Sequence, residues 1–136
     1  MRFVVPVLMV LSVLATGCTS GTTPAPLPPS PTTSTEMITS LLPRKTGAYR
    51  NFTVTTAGTI TVTLTSVSPP TTLGLGVGIP GTTGNQCMLT TSVNAVASAN
   101  PQITVQAATG SFCAGVFDIG TVGSAPVAFS MQVVHP

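Results

Sequence analysis

The sequence predicts an all-β protein: a single antiparallel β-sandwich of about eight strands, set behind a disordered linker and a leader. Three observations carry this. Beyond the linker, apolar residues recur at every second position and not at helical spacing,. Turn residues interrupt those runs at short intervals, as in sandwiches and barrels. The region concerned, 36–136, holds about 100 residues, enough for one core and too few for two.

The first element is the leader. Arg2 supplies a charge, residues 3–14 form an apolar stretch, and Ala15-Thr16-Gly17 provides the small residues of a cleavage site, the order of a secretory signal. A transmembrane helix needs about 20 apolar residues. This stretch is shorter and contains Pro6, so residues 1–17 are expected to be removed.

Ala15-Thr16-Gly17-Cys18, preceded by Leu14, resembles the lipobox of bacterial lipoproteins. The resemblance implies that Cys18 is lipidated on its thiol, becomes the new N-terminus and carries palmitate-like chains into a membrane of the cell envelope. Thr19 follows it, where the inner-membrane retention signal of enteric-type bacteria has Asp, so the resemblance favours the outer membrane, on its periplasmic or surface face. Ala15-Thr16-Gly17 also suits ordinary signal peptidase, and the alternative product is a freely secreted protein.

The second element, 18–35, is the lipidated cysteine and its linker. Its Pro24, Pro26, Pro28, Pro29 and Pro31 block helix and sheet alike,. At about 3.1 Å per residue, such a segment holds a domain on the order of 50 Å from its anchor.

Residues 36–42 read as a first strand. Phe52 and Val54 follow, then the clearest run, Thr59-Ile60-Thr61-Val62-Thr63-Leu64-Thr65, with apolar side chains on one face and threonines on the other,. Leu73, Leu75, Val77 and Ile79 alternate with glycine, Ile103 and Val105 form a short run, and Val127, Phe129, Met131 and Val133 close the chain. The breaks fall at Ala57-Gly58, Pro69-Pro70, Pro80-Gly81, Asn100-Pro101, Thr109-Gly110 and 120–123.

Three stretches resemble the bacterial pre-peptidase C-terminal type of domain. They are Asn51-Phe52-Thr53-Val54 with Ala57-Gly58-Thr59-Ile60-Thr61-Val62, then Gly110-Ser111-Phe112-Cys113-Ala114-Gly115-Val116-Phe117-Asp118, then Val127-Ala128-Phe129-Ser130-Met131-Gln132-Val133. The resemblance implies a small jelly-roll-like sandwich and carries over no catalytic residue. In the second stretch both faces look apolar, so the face of Cys113 and Phe117 is expected to pack under a cover, with the loop around Cys87 as candidate.

Three cysteines are an odd number for an exported chain,. Lipidation of Cys18 leaves Cys87 and Cys113 to form a disulfide in an oxidising compartment; the alternative is two buried free thiols. The formal charge of +2 includes Arg2, and the mature chain keeps Arg44, Lys45 and Arg50 against Glu36 and Asp118. With 4% charged residues, nucleic-acid binding has no electrostatic basis,.

Chemistry-bearing residues are few. His135 is the only imidazole, next to the last residue, where fixed catalytic geometry is not expected. No Gly-x-Ser-x-Gly elbow is present. Glu36 and Asp118 are the only carboxylates: Glu36 lies at the linker boundary, and Asp118, before Ile119-Gly120, suits a strand-end turn in which it accepts backbone hydrogen bonds,. No metal site, cofactor or catalytic residue is expected. Asn51-Phe52-Thr53 fits a glycosylation pattern by chance in a bacterial protein. Arg44, Lys45 and Arg50 form the one basic cluster and, with Tyr49 beside them, the possible contact surface.

These readings point to a non-catalytic, lipid-anchored envelope protein with a structural or protein-interaction role. The alternative binding class is a glycan or peptidoglycan module relying on Thr, Asn and Gln side chains.

Overall fold

The computed structural model describes residues 25–27, 32–83 and 86–136. The leader, Cys18 and most of the linker lie outside the described residues. The described residues form eight strands: β1 (Ser34–Leu42), β2 (Gly47–Val54), β3 (Gly58–Ser68), β4 (Leu73–Pro80), β5 (Cys87–Ala95), β6 (Ile103–Ala107), β7 (Gly110–Phe117) and β8 (Val127–His135). Among the described residues no helix is long and apolar enough to cross a membrane.

The strands form two antiparallel sheets, A with order β1-β8-β3-β6 and B with order β2-β7-β4-β5. Strand β1 pairs with β8, β2 with β7, β3 with β6 and β4 with β5. The chain is thus one long hairpin bent at the β4–β5 connection and wrapped so that successive pairs fall in opposite sheets, the jelly-roll arrangement.

The period of two builds the core. In β8, Val127, Phe129, Met131 and Val133 point inward, and Ile60, Val62 and Leu64 of β3 meet them with at most 3% exposure. Burying each such side chain contributes about 1.5–3 kcal/mol. A bulge between Leu64 and Ser66 absorbs Thr65, which keeps Val67 on the core side although its number has changed parity,.

Past Val62, β6 has ended and β3 would be left with an open edge. The side chain of Gln102 takes the place of a strand there. Its Oε1 accepts the N–H of Leu64 at 2.8 Å, and its Nε2 donates to the carbonyls of Val96 at 2.9 Å and Leu64 at 3.5 Å.

Strand β5 is not among the alternating runs picked out above, and a second bulge explains why. Val77 pairs with Thr91 but Gly78 with Leu89, so Thr90 is extra. Thr91, Val93 and Ala95 share the core-facing phase of Val77, Leu75 and Leu73, whereas Leu89 and Cys87 are turned to the outer face. Cys87 is therefore the first residue of a strand and not part of a covering loop. The bulge brings it to the side on which Cys113 lies, and the two form a disulfide with Cα atoms 5.8 Å apart, bridging β5 to β7 across β4.

That outer face of sheet B is paved by glycine. Gly74, Gly76 and Gly78 of β4 share it with Gly115 of β7, and large neighbours lie over them: Phe117 over Gly74, Leu89 over Gly76, Tyr49 over Gly115. Over Gly78 the backbone of Met88 and Leu89 approaches so closely that a side chain would strike it. The cover expected for Cys113 and Phe117 is thus supplied by neighbouring strands, and Cys113 is fully buried.

Candidate functional site

Two strands at one side of the sandwich, β1 of sheet A and β2 of sheet B, are both edges. Between them runs a groove of about 590 Å³ lined by Ile38, Thr39, Ser40, Ala48, Arg50 and Asn51, among others. It exists because the inward phase of both strands is broken by polar residues. On β1 the phase that carries Ile38 and Leu42 into the core also carries Glu36 and Ser40; on β2 the phase of Ala48, Phe52 and Val54 also carries Arg50. A sandwich seam that would close on apolar side chains stays open where these cannot be buried unpaired.

The groove gathers the basic cluster seen in the sequence. Arg50 is exposed on its wall, and Arg44 and Lys45 are exposed in the β1–β2 turn at its end. Among the described residues none of these three side chains makes an ion pair with a carboxylate. Tyr49 also lines the groove, but its ring is packed over Gly115, and partial burial raises its phenol above the ordinary value. Thr39 and Ser40 were not singled out from the sequence, and Asn51 only as a chance glycosylation match; polar residues beside or breaking the inward phase of a strand are the signal that finds them.

Lys45 has a left-handed backbone, with φ of 60°. Its N–H donates to Oδ2 of Asp118 at 2.8 Å, while Oδ1 accepts the N–H groups of Gly120, Thr121 and Val122 at 2.8, 2.9 and 3.0 Å. These bonds hold the carboxyl at a pKa of about 2, the Lys45 N–H being the largest cause,. Asp118 thus has the turn role expected of it and also clamps the β1–β2 turn to the β7–β8 loop.

His135 and Glu36 come together, which their positions near the two ends of the folded region did not suggest. Glu36 lies within β1, not at a loose boundary, and His135 ends β8 with 4% exposure. The imidazole stacks on Phe52 with ring centroids 4.8 Å apart. Its Nε2 lies 3.5 Å from Glu36 Oε1 and its Nδ1 3.3 Å from the Pro136 carbonyl oxygen. Both ring nitrogens thus face oxygen atoms. The pair ties the last strand to the first.

A second cavity, about 410 Å³, lies by the β3–β4 connection and is lined by Val67, Pro70, Thr71, Thr72, Val96 and Ala97, with no titratable side chain on its wall. Among the described residues, no group of three or more His, Cys, Asp or Glu is gathered as a metal site would require,. Compared with known proteins, the chain matches no family model, no curated sequence and no solved structure.

Proposed function

We infer that this protein is a lipid-anchored, non-catalytic component of the bacterial cell envelope that works through contact with another protein. The observation that carries the contact role is the groove between β1 and β2: two strand edges without partners, a polar wall, and three cations that make no ion pair with a carboxylate among the described residues. The anchor rests on the lipobox-like Ala15-Thr16-Gly17-Cys18. Antiparallel pairing sets the start of β1 and the β1–β2 turn at opposite ends of the sandwich, roughly 30 Å apart for nine residues at 3.3 Å each,. The cationic end of the groove is therefore the end distant from the start of β1.

The glycan reading has less to stand on. Carbohydrate sites commonly use an exposed aromatic face, and the one tyrosine is used to cover Gly115. The test is fractionation of the host expressing the wild-type chain or Cys18→Ala, with a peptidoglycan pull-down alongside. The expected result is wild type in the membrane fraction, Cys18→Ala released, and no retention on peptidoglycan. Unchanged partition of Cys18→Ala removes the anchor, and retention on peptidoglycan favours the glycan module.

A further inference from the structure

Four strands are sheet edges, β1 and β6 in sheet A and β2 and β5 in sheet B, and they are not equivalent. Edges are commonly protected by shortness, by bulges or by a charge turned inward. Strand β6 has five residues, and Gln102 takes over where it ends. Strand β5 is bulged at Thr90. The other two carry a charge in their inward phase, Glu36 on β1 and Arg50 on β2, and these two flank the groove described above.

An inward charge does more than repel. An apolar strand laid along β2 would cover Arg50 and strip its water with nothing in exchange, an unfavourable desolvation of an unpaired ion. A strand that brings a carboxylate opposite Arg50 removes that cost. Residues directly across an antiparallel pair have Cβ atoms about 4.5–5.5 Å apart, within reach of a guanidinium–carboxylate pair. Glu36 of β1 is already beside His135, and Asp118 is held by four backbone N–H groups, so neither carboxylate serves Arg50.

Resting on the protein-contact reading above, we propose that the β1–β2 groove accepts an extended acidic segment of a partner polypeptide, which adds to sheet B along β2. The backbone of β2 provides the hydrogen bonds that recognise any peptide. Arg50 provides the selection: it penalises strands without a carboxylate and rewards those with one. Arg44 and Lys45, at the end of the groove distant from the start of β1, extend the same preference. A peptide fits this site better than a glycan, because the free edge offers backbone N–H and C=O groups in strand spacing and the one aromatic residue on the groove, Tyr49, has its ring packed over Gly115.

The experiment titrates the full mature protein with a short, end-capped, dye-labelled peptide alternating Glu and Val, read by fluorescence anisotropy. A Lys-Val peptide, the Glu-Val peptide with alternate amides N-methylated, and polygalacturonate are run beside it. Saturable binding of the Glu-Val peptide is expected, with loss on N-methylation and no competition from polygalacturonate. Arg50→Gln should weaken binding by about tenfold or more, the worth of one charge-assisted hydrogen bond, and its melting temperature reports that the fold is intact. No saturable binding, equal binding of the Lys-Val or N-methylated peptide, or equal affinity for polygalacturonate overturns the proposal. Each of these outcomes leaves the membrane fractionation result untouched, so the anchor and the groove fail separately.

Discussion

At the scale of single residues, Asp118 and the glycines of β4 do most to fix geometry. The four backbone bonds to Asp118 lower its folded pKa to about 2 from an ordinary 3.8. A depressed carboxyl contributes stability that is fully present above the unfolded value and is lost as pH falls through the folded one. Wild type should therefore lose thermal stability between about pH 4 and pH 2, measurable by circular dichroism, whereas Asp118→Asn starts lower at neutral pH and changes less over that window. A parallel fall in both proteins would show that other groups govern the acid limb. Gly78 gives a second case. An alanine there meets the backbone of Met88, which cannot turn aside as a side chain can, so Gly78→Ala should destabilise by about 1–3 kcal/mol in urea. Gly123→Ala, with open space around its Cα, should be near neutral.

At the scale of elements, Gln102 acts as the missing end of β6. Gln102→Ala leaves the N–H of Leu64 and the carbonyl of Val96 without their partner, and an unfold measurement should show a loss of about 1–3 kcal/mol. Gln106→Ala, which loses only an exposed bond to Thr59, should stay within about 0.5 kcal/mol. The strands themselves were legible where alternation was unbroken, as in 59–65 and 127–133. Strand β5 was hidden because Thr90 breaks the period and because Thr91 puts a polar residue in the core-facing phase of Val93 and Ala95. The groove was hidden for a related reason: Arg44, Lys45 and Arg50 were visible as a cluster, but that Arg50 shares the inward phase of Phe52 matters only once β2 is known to be an edge. Pairing partners distant in the chain, such as Ser34 with His135, leave no local trace, and so the contact of Glu36 with His135 could not be read from either neighbourhood.

At the scale of the whole molecule, a nearly uncharged sandwich is joined by one covalent bridge, and the expectation that Cys87 pairs with Cys113 agrees with the geometry found. The bond closes a loop with sequence separation 26, for which the chain-entropy model gives about 3.5 kcal/mol. Cys87→Ser with Cys113→Ser should lower the unfolding free energy by an amount of that order, read from urea transitions with and without the bridge; a change well under about 1 kcal/mol would mean that the glycine-paved face holds without it. The pairing also bears on the envelope reading, since it accounts for two of the three cysteines and leaves Cys18 as the one to be explained,. The most direct test of the account as a whole is the intact mass of the protein purified from its own host. The expected product is a chain beginning at Cys18, heavier by its acyl chains and lighter by the two hydrogens of the Cys87–Cys113 disulfide. A mass equal to the unmodified 136-residue chain, or to a cleaved chain without acyl groups, would contradict it.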